Sequence, residues 1–194
     1  MRTVVVGNSG SGKTWLARRL AEKAGSLVVH LDEVFWLPGG FNEKRDPSEV
    51  SRLIDAKRAE TEWIVEGVYG NLARQFLPSA LTLVWLDLPW SVCRLRLELR
   101  RSESKAHMDR ERSDQGVREL LHWAEAYHSR QGSSGQAAHL AMFETFQGHR
   151  FRLRSETQVR EYLDTANPSV EAWPNGSSPN RGHARLGISP HLEP

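Results

Sequence analysis

Thr3-Val4-Val5-Val6-Gly7-Asn8-Ser9-Gly10-Ser11-Gly12-Lys13-Thr14-Trp15 carries a β-branched run straight into the spacing G-x-x-x-x-G-K-T. Each part of this stretch has a physical task. Thr3 to Val6 reads as a strand buried on both faces, and from Trp15 to Ala24 apolar residues recur at helical spacing up to a stop at Gly25. Glycines between them let successive N–H groups turn inward around phosphate oxygens, and the unpaired N–H groups of the helix start add to that cradle. Lys13 is placed to reach the β- and γ-phosphates of a nucleotide as a point charge, and Thr14 to offer its hydroxyl to Mg²⁺. The residues expected to contact nucleotide are Gly7, Asn8, Ser9, Gly10, Ser11, Gly12, Lys13, Thr14 and Trp15, with Thr14 also a metal ligand.

Working outward, 194 residues with 39% hydrophobic content suit one domain with a full core. A net charge of only +2 gives no electrostatic case for nucleic acid or an anionic membrane. No apolar stretch approaches a membrane span, and Met1-Arg2 runs into the first strand without room for a signal peptide, so a cytoplasmic monomer or homodimer is expected. The single cysteine, Cys93, sits among apolar residues and reads as core.

Strand-like and helix-like segments alternate, the pattern of a parallel sheet covered on both faces. Strands are predicted at Thr3–Val6, Ser26–Leu31, Glu62–Glu66, Leu81–Leu86 and His149–Leu153. Helices are predicted at Lys13–Ala24, Pro47–Thr61, Asn71–Phe76, Trp90–Ser102, Asp114–Ser129, Gln136–Phe146 and Thr157–Thr165. Asp46 before Pro47 is a good N-cap for the second of these. After Thr165 the chain turns to Pro, Gly, Ser and Asn, so residues 1–165 form the expected domain and 166–194 a disordered tail.

Ligands of an open parallel sheet gather beyond the carboxyl ends of its strands, where Asp32, Glu66 and Asp87 fall. Leu83-Val84-Trp85-Leu86-Asp87 is an apolar run ending in aspartate, which makes Asp87 a candidate for orienting Mg²⁺; an aspartate capping the next helix would look the same. Asp32 is a candidate base for an attacking hydroxyl, and Phe35 and Trp36 supply flat apolar surface for an acceptor, against the plainer reading of a turn residue beside core aromatics. Glu66 and Tyr69, flanked by Gly67 and Gly70, form a second acceptor segment in which Glu66 could assist Mg²⁺, hold the acceptor or simply cap a loop; Arg74 follows one turn later as a further substrate contact.

A run of arginines from Arg94 to Arg112 offers charge to a migrating phosphoryl group, and Arg100 and Arg110 are the choices for catalysis. Glu98, Glu103, Asp109 and Glu111 interleave with them, which also describes a solvated, salt-bridged helix face.

Gly-x-x-Gly-Ser-Gly-Lys-Thr, His30-Leu31-Asp32 with Trp36-x-Pro38-Gly39, Trp63-Ile64-Val65-Glu66-Gly67-x-Tyr69 and Leu86-Asp87-Leu88-Pro89 together resemble the adenylate-kinase-like P-loop proteins of the topology modulation (FlaR-like) group. The resemblance spans about residues 2–164. It implies a three-layer α/β fold of the nucleoside-monophosphate-kinase type, with five parallel strands in order 2-3-1-4-5 and a lid near 101–114, between the fourth and fifth strands. Asp32 is also similar to the aspartate that serves as base or acceptor ligand in uridine-kinase-like enzymes. The arginine segment that grips the acceptor phosphate of adenylate kinases is not evident after Gly67, which argues against AMP, and no lid cysteines are present to bind zinc.

The leading expectation is an ATP- and Mg²⁺-dependent phosphotransferase acting on a small hydroxyl or phosphate acceptor, of the nucleoside or nucleotide kind. The rival is an ATPase or nucleotide-dependent switch acting on a protein partner. A GTPase is disfavoured, since neither Asn-Lys-x-Asp nor Asp-x-x-Gly occurs.

Overall fold

The computed structural model describes residues 1–38, 43–104 and 110–166, with side chains described at all of these except 100–104 and 110–115. Five strands, β1 (Arg2–Gly7), β2 (Val28–His30), β3 (Trp63–Gly67), β4 (Thr82–Leu86) and β5 (His149–Leu153), form one parallel sheet in the order β2-β3-β1-β4-β5. The helices are α1 (Lys13–Ala24), α2 (Leu31–Phe35), α3 (Pro47–Arg58), α4 (Gly70–Phe76), α5 (Trp90–Ser104), α6 (Arg110–Glu125), α7 (Gln136–Thr145) and α8 (Glu156–Thr165).

Residue parity divides the core into two layers. Val4, Val6, Trp63, Val65, Leu83 and Trp85 face one side with α2, α3, α4 and α7. Val5, Ile64, Val84 and Leu86 face the other with α1, α5 and α8. The central strands are apolar at nearly every position because both faces are covered. Trp63 and Trp85 are enclosed completely, and truncating either to alanine is expected to cost about 3–5 kcal/mol.

The largest departures from the sequence reading lie where an element meets a loop. β2 stops at His30 instead of running through Leu31, because Leu31 and Val34 bury themselves at helical spacing and start α2. The helix predicted to reach Thr61 ends at Arg58, where the Ala59 N–H closes on the Asp55 carbonyl. Helix α5 continues to Ser104 and α6 begins at Arg110, so helical structure occupies much of the expected lid at 101–114, while 105–109 lie outside the described residues. The expected tail lies outside them from 167 onward.

Candidate functional site

The β1–α1 loop is built against the first helix of the opposite half of the sheet. Gly10 adopts a left-handed φ of +79°, and a Cβ there would sit 2.4 Å from the Cys93 carbonyl oxygen. Only glycine fits. Gly12, with φ of +93°, caps α1, and its carbonyl accepts the first helical N–H from Leu16 at 3.0 Å. Lys13 Nζ reaches across the loop to donate to the Asn8 carbonyl at 2.9 Å. The buried Asn8 side chain donates through Nδ2 to the Ala124 carbonyl of α6 at 2.8 Å. Arg96 of α5 donates to the Ser11 carbonyl at 2.8 Å and to Glu156 at 2.9 Å, bracing the loop from outside. A glycine-shaped loop thus follows β1 in a sheet ordered 2-3-1-4-5. The fold is the α/β arrangement expected from the sequence, five parallel strands in order 2-3-1-4-5 with helices on both faces.

Three polar groups meet beside the start of α1. Glu66 pairs with His30 across the β2–β3 register and, two residues beyond Ile64, shares the α1 face of the sheet. Its Oε1 accepts from the Thr14 hydroxyl at 2.9 Å and from His30 Nδ1 at 2.7 Å. Burial works to raise the Glu66 carboxyl, but the hydrogen bonds from His30 and Thr14 and the charge of Lys13 outweigh it, so it stays below the usual glutamate range. The same bond lifts His30 above its ordinary value against the pull of desolvation. The proton of this hydrogen bond sits on Nδ1, because a carboxylate only accepts.

Asp87, the other carboxylate considered for magnesium, follows β4 on the opposite face of the sheet from Glu66. Two residues beyond Leu83, Trp85 faces the α7 side, and Asp87 continues that parity. It accepts from Arg152 at 2.6 and 2.9 Å and from Gln136 of α7 at 3.0 Å, with Arg152 lying 4.1 Å over the Trp85 ring. Among the described residues, the carboxylate that bonds the Thr14 hydroxyl is Glu66.

Asp32 lies in the first turn of α2. Its side chain is solvent-accessible, yet surrounding protein raises its pKa by desolvation against the opposing pull of Lys13. Phe35, Trp36 and Tyr69 gather beside it: the indole Nε1 donates to the Tyr69 hydroxyl at 2.8 Å, and the Phe35 ring lies 4.9 Å from both other rings. Arg74 does not join them; it donates to the Ala138 carbonyl of α7 at 3.4 Å. The side chains of Arg100 and Arg110 lie outside the described residues. Trp15 is half-exposed and lines a cavity of about 400 Å³ with Ser11, Gly12, Arg96, Glu156, Val159 and Arg160.

One buried chain escaped the sequence reading. Trp85 Nε1 donates to the Tyr127 hydroxyl at 3.1 Å, Tyr127 donates to His139 Nδ1 at 2.7 Å, and His139 Nε2 donates to the Val68 carbonyl at 3.0 Å. The carbonyl fixes the tautomer, since it can only accept. Complete burial lowers the His139 pKa to about 4, so the ring is neutral. The only signal in the sequence is a histidine inside an otherwise apolar helical stretch, Ala137 to Met142.

No family model matches the chain. It is 36% identical over 109 residues to a cytidylate kinase of Methanoculleus marisnigri, a match covering 50% of this chain and 59% of that one. The chain therefore spans about three-fifths of that relative. Among solved structures it is similar to a shikimate kinase from Bacteroides thetaiotaomicron (TM-score 0.47, 14% identity, covering 84% of this chain and 94% of that one). It is also similar to a gluconokinase from Sinorhizobium meliloti (TM-score 0.44, 18% identity, covering 84% and 89%). Among the described residues no helix is long and apolar enough to cross a membrane.

Proposed function

We propose that the chain is an ATP-dependent phosphotransferase that moves the γ-phosphoryl group of Mg-ATP to a small-molecule acceptor. The observation that carries this is the opposed pair of carboxylates flanking Lys13: Glu66 held ionised at Thr14, and Asp32 pushed upward by desolvation beside a wall of aromatics. Two carboxylates tuned apart are suited to different roles. The cytidylate kinase likeness points the same way.

In this reading the loop from Gly7 to Thr14 and the start of α1 hold the donor phosphates, and Lys13 supplies positive charge where negative charge develops. Trp15 and Arg96 border the adjoining cavity, which suits the donor's base. Thr14 and Glu66 are hard oxygen donors that fit Mg²⁺, an ion that needs few protein ligands because water and phosphate complete its shell. Bound there, Mg²⁺ would neutralise phosphate charge. Asp32 accepts the proton of the attacking acceptor oxygen, and Arg100 and Arg110 are the arginines assigned to the migrating phosphoryl group. Asp87, tied to Arg152, serves the β4–β5 edge in place of the metal.

Mg-ATP with a panel of small alcohols, nucleosides and nucleotides tests this. Acceptor-dependent ADP formation is expected, abolished in Asp32→Asn while ATP affinity is largely kept. Turnover indifferent to acceptor would favour the ATPase reading instead.

A further inference from the structure

Tyr69 sits between two peptide groups that the same distant segment holds. The Val68 carbonyl, on its amino side, accepts from His139 Nε2 at 3.0 Å, and the Gly70 N–H, on its carboxyl side, donates to the Ser133 carbonyl at 3.1 Å. A peptide unit is planar, so these two bonds fasten both planes about the Tyr69 Cα and hold its φ of −76° and ψ of 89°. Only glycine admits the second contact, since a Cβ on Gly70 would lie 2.2 Å from the Ser133 oxygen. Behind His139 stand the Tyr127 hydroxyl, donating to Nδ1 at 2.7 Å, and the Trp85 indole, donating to that hydroxyl at 3.1 Å. All three side chains are buried, and every bond in the chain points toward the Val68 carbonyl, so each polarises the next. On its own outer side, the Tyr69 hydroxyl accepts from Trp36 Nε1 at 2.8 Å and hydrogen-bonds Asp32, and its ring lies 4.9 Å from Phe35.

We propose that His139 is a positioning residue for the acceptor side of the site. Through the Val68 carbonyl, with Tyr127 holding the ring from behind, it sets where Tyr69 presents its ring and hydroxyl, and with them Trp36 and the surface an acceptor meets. This rests on the phosphotransferase reading above. His139→Gln can bring an amide nitrogen near the place of Nε2 and keep the bond to Val68, whereas His139→Leu fills similar space and takes their shared partner from the Val68 carbonyl and the Tyr127 hydroxyl. The donor loop has its own fastenings, Asn8 to Ala124 and Ser11 to Arg96, so the two halves of the site separate kinetically.

The test is ADP formation by the full chain with Mg-ATP and a panel of cytidine, uridine, adenosine, thymidine, their 5′-monophosphates and glycerol, pursued with the compound of highest kcat/KM. In His139→Leu that kcat/KM is expected to fall by about tenfold or more while the KM for ATP stays within about twofold, and His139→Gln is expected to stay within about threefold of wild type. Thermal melting checks folding. Tyr127→Phe, which keeps the His139 ring and removes the hydroxyl behind it, is expected to lose about threefold or more and carries the comparison where His139→Leu does not fold. The Trp36 indole N–H resonance, assigned with Trp36→Phe, reads the placement of Tyr69 without turnover; it is expected to move in His139→Leu and to return in His139→Gln. A folded His139→Leu protein that keeps its acceptor kcat/KM, or that loses ATP affinity by the same factor, overturns the positioning role. So do a His139→Gln protein no better than His139→Leu, and a Trp36 resonance that stays in place. Turnover indifferent to every compound overturns the phosphotransferase reading, and the resonance then still decides whether His139 places Tyr69.

Discussion

Glu66 is the penultimate residue of β3 and Asp87 directly follows β4, the two strands that flank β1, and the fold gives them opposite company. Both close an apolar run, so by composition they are interchangeable. Glu66 shares its parity with Ile64 and meets Thr14 and His30 on the α1 face. Asp87 shares its parity with Trp85 and meets Arg152 and Gln136 toward α7. Which face a carboxylate occupies is settled by counting in twos along a strand, and that decides whether it can serve the loop or the scaffold.

The most severe test of this contrast removes the charge that Glu66 and Asp32 share. Lys13→Ala is expected to lower kcat/KM for transfer by about 10³-fold and to weaken ATP binding, read by steady-state kinetics and calorimetry. Near-normal turnover would detach the loop from catalysis.

Next comes the pin on the loop after β3. His139 has a folded pKa of about 4 against an unfolded value near 6.5, so its contribution to stability is complete above about pH 6.5 and fades as the pH falls toward 4. The loss amounts to about 3 kcal/mol at most. Denaturant midpoints against pH should fall across that window in the wild type and fall less in His139→Gln; parallel curves for the two proteins would refute the assignment.

Two carboxylate variants then set the strand ends directly against each other. Glu66→Gln is expected to raise the Mg²⁺ requirement for transfer by about 10- to 100-fold. Asp87→Asn is expected to shift that requirement far less and to cost about 2 kcal/mol of stability, since it leaves Arg152 without its carboxylate. A larger magnesium shift in Asp87→Asn than in Glu66→Gln would return the metal to the β4 end. The smallest effect belongs to Arg74→Ala, which should change the acceptor KM by less than about twofold, because its guanidinium bonds an α7 carbonyl away from Asp32.

Much of this fold is written in short-range pattern. The strand-loop-helix from Arg2 to Ala24, the β5 strand and the Asp46–Pro47 helix start follow from local spacing and capping, and the structure places them there. The joins are less legible. Leu31 is equally suited to ending a strand or starting a helix, and only its burial against the core selects the helix. The fate of Asp87 depends on Arg152 and Gln136, 65 and 49 residues away. The Trp85–Tyr127–His139–Val68 chain draws on four separate elements, and no window of sequence contains it.

The bracing of the phosphate loop has a mechanical consequence. Gly10 touches the Cys93 carbonyl, Arg96 grips the Ser11 carbonyl, and Asn8 holds Ala124, so the roots of both helices bordering 105–109 are fastened to the cradle itself. A helical hairpin hinged in this way feels the contents of the cradle at its base. Its two arms share one foundation with the β1–α1 loop, and strain applied at either arm is delivered to the same few peptide groups.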